Sequence, residues 1–296
     1  MDYCDAVNDA VEFIEKHIRE PMSAEQIAGQ AGYSLYHFSR VFTAQKGVPL
    51  MDYVRMRRLS TARTELTKGR KVIDIALEFG YETASGFAKA FRKEFGYSPS
   101  TYVVRMQGAR HNVFLSKGGE TVLPPILVKK ESFNVAGYGI KTNITSGYTK
   151  DIAAYWDTYT GENLESKMYA QLNPPKHGEV GLCVSSPRDE TVAYLLGVVV
   201  EDFRKATSDM IRVVVPEAEY AVFTTPPVDL TKTDKGEGDP LAETVKATWK
   251  YIFEEWFPRS GYLYDESKMD FEFYDERCHA RPDAVMEIYV PVVKKP

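Results

Sequence analysis

The chain has little cysteine and little histidine. Its three cysteines, Cys4, Cys183 and Cys278, lie far apart among 296 residues, so they offer no disulfide framework. The five histidines show none of the spacings that are typical of a zinc site. The sequence also has no phosphate-binding glycine loop and no Gly-x-Ser-x-Gly turn around a nucleophile. We therefore predict no bound metal, no cofactor and no catalytic residue.

Long apolar runs are absent as well. No segment approaches the roughly 20 apolar residues of a membrane-spanning helix, and the first residues lack the pattern of a signal peptide. We expect a cytoplasmic protein with no membrane partner. With 44% hydrophobic residues the chain can bury a sizeable core, and its length favours two domains. Its net charge of −5 is uneven, because residues 1–107 are slightly basic and the remainder is acidic.

Residues 73–96 have the pattern of a helix-turn-helix. A short apolar helix is expected up to Gly80, and a second helix follows it and ends at Gly96. The opposite face of the second helix carries small or cationic residues. Its apolar positions recur every fourth residue and are Phe87, Phe91 and Phe95. A single pattern of this kind is weak evidence for DNA binding, since many helical hairpins share it.

The same pattern occurs a second time, upstream. The residues that correspond in order are Ala28, Gly32, Tyr33, Phe38, Phe42, Gly47 and Tyr53 in the first copy and Ala76, Gly80, Tyr81, Phe87, Phe91, Gly96 and Tyr102 in the second. On these residues the chain resembles the DNA-binding domain of the AraC/XylS family over residues 5–106. The resemblance implies an all-α domain, residues 1–107, in which one long helix (51–68) joins two helix-turn-helix units. It also implies double-stranded promoter DNA and RNA polymerase as partners.

The resemblance further implies which residues contact DNA. In the family, the second helix of each unit enters the major groove. The matching residues are Tyr36, Ser39, Arg40 and Thr43 in the first unit and Ala84, Ser85 and Lys89 in the second, with Arg92 on the same face. Arg40 is suited to a bidentate bond with guanine, whereas Ala84 and Ser85 are too short to discriminate bases well. On the joining helix we expect Arg55, Arg57, Arg58 and Arg63 to be exposed. Some of them are expected to bind phosphate oxygens; alternatively, Arg57 or Arg58 pairs with a nearby acid such as Asp52.

Residues 108–126 are rich in glycine and proline and are predicted to be a connector. From residue 127 to 296 the pattern changes to β-branched and aromatic runs, which predict two copies of a strand-helix-strand-strand unit. Such a pseudo-twofold α+β domain offers a cleft between its halves. The segments Glu255–Tyr262 and Met286–Val292 resemble the GyrI-like ligand-binding domain. The whole chain is thus expected to be multidomain, with an α domain followed by an α+β domain.

The last predicted strand alternates in character. Met286, Ile288 and Val290 share one face and are expected to pack under helices, while Glu287 and Tyr289 share the other, which we assign to the cleft. A carboxylate on an apolar strand is costly to bury without a positive partner, and related domains hold cationic, lipophilic compounds with an acid and aromatic walls. The predicted ligand-binding residues are Trp256, Tyr274, Glu287 and Tyr289. Alternatively, Glu287 pairs with a lysine or arginine and the aromatic residues belong to the core.

These patterns together predict a ligand-responsive transcription regulator of the multidrug-sensing type, and not an enzyme. The effector is expected to be a small cationic or amphipathic molecule. Two other functions stay open. Some GyrI-like domains resemble hydrolases of strained electrophilic toxins, in which a cleft glutamate directs water. Alternatively, the C-terminal domain is a module that binds a partner protein.

Overall fold

The structure is a computed structural model of the full chain. It describes residues 3–108, 124–143, 148–185, 191–231, 239–278 and 281–295. The chain divides into two compact units, Met1–Val103 and Val104–Pro296, which are treated separately below. Most of the predicted connector (108–126) falls outside the described residues, so its extent stays a prediction.

The first unit is helical, as predicted. Its helices are α1 (Tyr3–Lys16), α2 (Ala24–Gln30), α3 (Leu35–Lys46), α4 (Leu50–Leu66), α5 (Val72–Glu78), α6 (Ala84–Phe95) and α7 (Pro99–Gly108). The last residues of α7, from Val104 onward, belong to the second unit. Helix α4 is the predicted joining helix, and the pairs α2–α3 and α5–α6 are the two helix-turn-helix units.

The two units turn in the same way. Gly32 and Gly80 lie between the paired helices with φ of 76° and 81°, in the left-handed region that glycine enters without strain. The next residue in each turn, Tyr33 or Tyr81, donates its backbone N–H to a carbonyl five residues back, at 3.1 and 2.9 Å respectively. The sequence repeat is therefore a repeat of backbone geometry.

The aromatic residues form equivalent cores in both halves. Tyr53 on α4 meets the ring of Phe42 edge-on, with centroids 5.4 Å apart, and Tyr102 on α7 meets Phe91 at 6.4 Å. The buried phenylalanines of the predicted stripes are Phe38, Phe42, Phe87, Phe91 and Phe95. Because these rings fill the space under α3 and α6, they leave the opposite face of each helix to solvent.

The second unit is built on an antiparallel sheet with helices. Its elements are β1 (Ile126–Lys130), β2 (Phe133–Asn143), α8 (Tyr148–Gly161), α9 (Leu164–Leu172), β3 (Glu179–Ser185), β4 (Thr191–Val200), β5 (Ile211–Val215), β6 (Ala218–Thr224), α10 (Pro240–Tyr251), β7 (Tyr262–Tyr264), β8 (Phe271–Tyr274) and β9 (Glu287–Lys294). Helix α10 continues through a π-helical turn, Ile252–Trp256, and a short turn, Phe257–Arg259. Helix α9 and strand β7 were not predicted, and strands β5 and β6 are separated at Pro216.

The strand order is β1-β6-β9-β8-β3-β4-β2-β5, with β7 paired separately to β9. Exchanging β1 with β5, β2 with β6, β3 with β8 and β4 with β9 returns the same order read from the other edge of the sheet. The sheet is curled, and the predicted pseudo-twofold fold of two strand-helix-strand-strand copies is confirmed. The two copies meet where β3 pairs with β8.

The two faces of the sheet have different neighbours. Tyr155 on α8 packs on Tyr194 of β4, with ring centroids 5.5 Å apart, and Trp256 packs on Phe223 of β6 at 5.1 Å. One row of paired residues on this helix-covered face consists of Phe223, Ile288, Glu272, Gly181 and Leu196. The neighbouring row on the opposite face consists of Val222, Tyr289, Phe271, Leu182 and Leu195.

A buried ion pair joins the end of α7 to the start of β8. Asp270 is only 1% exposed, and its carboxylate accepts a hydrogen bond from Arg105. The Arg105 guanidinium also lies over the ring of Trp249, 5.2 Å from its centroid. A buried carboxylate depends on such a cation, because it has lost the hydration that water gave it.

We expect Arg105→Ala to destabilise the second unit by roughly 3–5 kcal/mol, since it leaves Asp270 buried without a cation. Urea denaturation measures this loss. Adding Asp270→Asn should recover part of it, because the amide carries no charge. Arg204→Ala is the control, since it removes a cation from an exposed pair with Asp202 and should leave the transition nearly unchanged. Equal effects of the two arginine variants would contradict the assignment.

Candidate DNA-binding surface and ligand cavity

Helix α3 presents the four predicted residues on one side. Tyr36, Ser39, Arg40 and Thr43 line a shallow, open depression, and Tyr36 is 76% exposed. The Arg40 guanidinium lies 5.9 Å from the centroid of the Tyr36 ring. Stacking on a ring face uses none of the N–H donors of the guanidinium, so they stay available for a base edge. This surface offers exposed hydrogen-bond donors, and its contact with bases stays a prediction.

Helix α6 presents a plainer surface. Its N-cap residue, Thr83, accepts a hydrogen bond from the backbone N–H of Gly86 at 3.0 Å. Ser85 and Lys89 are exposed, whereas Ala84 and Arg92 are half-buried. The first turn therefore offers short side chains together with the positive end of the helix dipole, which suits a phosphate better than a base edge.

The arginines of α4 are less free than predicted. Arg57 donates two hydrogen bonds to Glu15, at 2.5 and 2.9 Å, and Arg58 donates to two backbone carbonyls just after α1. Arg63 lies over the ring of Phe95, 4.7 Å from its centroid. These three residues stabilise the packing of the first unit. For Arg57 this agrees with the alternative prediction of a pair with an acid, although the acid is Glu15 and not Asp52.

Arg55 differs from the other three arginines. It is half-exposed, and its Nη1 lies 2.8 Å from Asp52 Oδ1. Asp52 was named as an alternative partner of Arg57 or Arg58, but one helical turn brings it to Arg55 instead. An exposed pair of this kind is weak and exchanges readily for another anion. Arg55 therefore keeps its predicted role as a phosphate contact.

A cavity of about 340 Å³ opens on the helix-covered face of the second unit. It lies between the α8–α9 pair and the start of α10, above the junction of β3 and β8. Its lining residues are Tyr159, Thr160, Asn163, Glu165, His177, Glu179, Asp239, Leu241, Tyr274, Asp275 and Cys278. Four of these are carboxylic acids and two are tyrosines, so the cavity combines negative charge with aromatic surface.

Glu179 and Tyr274 form the floor of this cavity. They are direct partners across β3 and β8, so their side chains point to the same face. Burial raises the pKa of Glu179 to about 7, and the charge of nearby Glu165 adds to this effect. Burial, followed by the charge of Glu272, raises the pKa of Tyr274 well above its usual value. Tyr274 therefore stays a neutral phenol at ordinary pH.

Glu272 lies next to the cavity floor and was not predicted as a site residue. Its Oε1 accepts from Trp249 Nε1 at 2.8 Å, and its Oε2 accepts from the Tyr274 hydroxyl at 2.7 Å. A Cβ at its partner position, Gly181, would lie 3.3 Å from the Tyr274 ring and 3.5 Å from the Glu272 side chain. The glycine thus makes room for the Tyr274 ring, whereas the distance to Glu272 is an ordinary contact. The sequence signal was the alternation in Phe271-Glu-Phe-Tyr274, which places Glu272 on the strand face opposite to the two phenylalanines.

Of the four predicted ligand residues, only Tyr274 lines the cavity. Glu287 and Tyr289 lie on the opposite face, where Glu287 Oε1 is 3.0 Å from Arg277 Nη2 and Oε2 accepts from the Tyr289 hydroxyl at 2.7 Å. Trp256 packs between Phe223 and Tyr262. The sequence analysis placed the cleft on the face of Glu287, whereas this cavity opens on the face of Ile288, which the helices cover. A ligand role for Glu287 stays a prediction. The unpaired charge that motivated it is absent, because the carboxylate is already paired with Arg277.

The described residues lack two further features, a cluster of metal-binding side chains and a membrane-spanning helix. No group of three or more histidine, cysteine, aspartate or glutamate residues there has the geometry of a metal site. None of the described helices is both long enough and apolar enough to cross a membrane.

A helix-turn-helix unit followed by an acidic, aromatic cavity defines a class of proteins, namely DNA-binding regulators that carry an effector-binding domain. Two family models match the chain accordingly. Residues 27–105 match the helix-turn-helix domain, and residues 126–292 match the Cass2 family, described as integron-associated effector binding protein. Because the second match spans more than half of the chain, the protein belongs to this effector-binding family. The AraC-type and GyrI-like resemblances are confirmed.

Similar proteins include two curated relatives from Escherichia coli K12. The regulatory protein SoxS is 35% identical over 107 residues, which cover 36% of this chain and all of SoxS. The right origin-binding protein is 34% identical over 103 residues, and the match spans 34% of this chain and about a third, 36%, of that relative. A solved structure, SAV2435 bound to tetraphenylphosphonium, has 16% identity and a TM-score of 0.47, covering 58% of this chain and 94% of that one.

We expect Arg40→Ala to weaken binding to a selected DNA sequence by roughly 1–3 kcal/mol and to relax one base position. Lys89→Ala should weaken binding to all sequences alike and lower the salt slope by about 1, as loss of a phosphate contact does. Gel shifts on a sequence selected from a random library measure both effects. Arg204→Ala, a charge-matched change on the second unit, is the control. Wild-type affinity and base preference in Arg40→Ala would contradict the assignment.

Proposed function

We propose that this protein is a sequence-specific transcription regulator that responds to a small cationic or amphipathic molecule. In this proposal the first unit holds double-stranded promoter DNA through α3, α6 and Arg55, and the cavity of the second unit holds the effector. The observation that carries the proposal is this cavity, in which half-buried carboxyl groups and tyrosines meet in a chain that also has a tandem helix-turn-helix.

The chemistry of the cavity favours a cation with apolar substituents. Tyr159 and Tyr274 offer aromatic surface, and a cation over such a ring gains roughly 0.5–2 kcal/mol. Glu165 and Glu179 supply negative charge in a partly dehydrated space, where attraction to a cation is stronger than in water. A volume of about 340 Å³ suits a small organic molecule.

Glu272 has a positioning role in this proposal. Its two oxygens are occupied by Trp249 and Tyr274, so it orients the tyrosine ring on the cavity floor. It also adds negative charge behind that ring. Fixing the ring in advance lowers the entropy cost of ligand binding.

The remaining parts of the proposal follow from regulation at a promoter. A bound regulator changes transcription by altering how RNA polymerase is recruited, so we propose RNA polymerase as a further partner. Such a protein acts where the chromosome is, and we therefore propose a cytoplasmic location. Ligand binding regulates only if the effector binds the DNA-competent and DNA-incompetent states with different affinity.

Hydrolysis of a strained electrophile is a second candidate function, and one observation favours it. A carboxyl group with a pKa near 7, as Glu179 has, is suited to general acid–base catalysis. Incubating the protein with an epoxide and following the diol by mass spectrometry tests this candidate. If the wild type forms the diol and Glu179→Gln does not, the protein is a hydrolase. If the wild type forms no diol, the regulator is the function that remains.

For the regulator, we expect the protein to bind tetraphenylphosphonium at pH 8. Tyr274→Leu should weaken this binding about 3- to 30-fold through loss of the cation–π contact. Tyr274→Phe keeps the ring and should lose less. Isothermal titration calorimetry measures all three affinities.

Tyr289→Leu is the matched control, because it removes an aromatic ring from the opposite face of the same sheet. Circular dichroism checks that each variant is folded. The cavity assignment is wrong if Tyr289→Leu reduces the affinity and Tyr274→Leu does not.

A further inference from the structure

Glu179 occupies an unusual place for an acidic residue. It is the first residue of β3, and its Cα is paired with Tyr274 of β8 on one side and Val198 of β4 on the other. Its side chain therefore rises from the middle of the sheet, not from an edge where water would solvate it. The carboxyl group lies under the cavity and is half-buried.

Charged and titratable groups face Glu179 from each side of the cavity. They are Glu165 from α9, Asp239 just before α10, Asp275 and Cys278 after β8, and His177 before β3, together with the phenols of Tyr159 and Tyr274. Asp275 is paired with Arg277 at 2.8 Å, and Asp239 accepts a backbone N–H at the start of α10. His177 lies 3.6 Å from Glu276. These groups are engaged with neighbours other than Glu179.

Glu179 and Glu165 are left facing each other. In the part of the chain that the structure describes, neither carboxyl group forms an ion pair with a lysine, an arginine or a histidine. A buried carboxylate without a cation is unfavourable, so it gains either a proton or a positively charged neighbour. The raised pKa of Glu179 agrees with the first outcome. An organic cation in the cavity would provide the second.

We propose that Glu179 makes the cavity selective for cations by exchanging its own proton for the ligand. This inference rests on the proposed function. In the empty cavity below about pH 7 the carboxyl group holds the proton. When a monocationic ligand enters, the O–H bond breaks, the proton passes to the solvent buffer, and the carboxylate balances the ligand charge. The net charge of the cavity is then the same before and after binding. A neutral ligand brings no positive charge to replace that of the proton, so it does not displace the proton.

The exchange predicts a pH dependence with a definite sign. The empty cavity binds more protons than the occupied one, so raising the pH favours ligand binding. With a pKa of about 7 in the empty cavity, the affinity for tetraphenylphosphonium should be about tenfold higher at pH 8 than at pH 6. Calorimetry at pH 7 in two buffers of different ionisation enthalpy should show release of about half a proton per ligand. Triphenylphosphine oxide, a neutral analogue, should release none.

Three variants separate Glu179 from its neighbours. Glu179→Gln should bind the cation more weakly at pH 8 and with nearly the same affinity at pH 6. His177→Gln should keep the tenfold ratio between pH 8 and pH 6. This variant is a necessary control, because a positive charge on His177 at low pH would repel the cation and give the same sign of pH dependence. Glu165→Gln should keep the exchange but move its midpoint to lower pH, since the repelling charge is gone.

A measurement without ligand tests the proton on its own. A carboxyl group whose pKa is raised by folding stabilises the protein at low pH, and this stability is lost as the pH rises through about 7. The melting temperature of the wild type should therefore fall more between pH 5.5 and pH 8 than that of Glu179→Gln. Equal cation affinity at pH 6 and pH 8 would overturn this inference alone. No cation binding at either pH would overturn the proposed effector class together with it.

Discussion

The second unit depends on the pairing of β3 with β8. This is the seam at which the two pseudo-twofold halves meet, and it joins residues 179–182 to residues 271–274. Because directly paired residues share a face, the seam puts Glu179 beside Tyr274, and Gly181 beside Glu272, on the side that the helices cover. The walls from α8–α9 and from α10 stand on either side of it. A cavity at this position is therefore a product of the symmetry, and its acidity is a property of the residues at the seam.

The two carboxyl groups at the seam have different surroundings and different chemistry. Glu272 accepts hydrogen bonds from Trp249 and Tyr274, which stabilise a carboxylate and fix it in place. Glu179 has the negative Glu165 nearby and a raised pKa. One group is suited to holding the site in shape, and the other to responding to what enters it. The same residue type thus serves two purposes because burial and neighbours differ.

The first unit could be predicted almost completely from the sequence, because its determinants are local. Helix stripes repeat every three or four residues, and glycines with positive φ such as Gly32 and Gly80 mark the turns. Because the pattern occurs twice, each assignment in one unit can be compared with the corresponding residue of the other. What the sequence missed there was non-local. Arg57 and Arg58 lie about 40 residues from their partners at Glu15 and the end of α1, and only the packing of α4 on α1 brings them together.

The sequence by itself determined the two-domain plan, the tandem helix-turn-helix and the alternation of the last strand. It separated Glu287 from Ile288 correctly, since neighbouring residues on a strand always point to opposite faces. Tertiary structure alone decided which of those faces meets the helices and which charges are already paired. Arg277 reaches Glu287 at 3.0 Å, whereas Glu272 and Glu179 come together through strands more than 80 residues apart. Burial and pairing depend on such long-range contacts. The periodicity of a strand is the same whichever of its faces is covered, so it could not identify the covered face.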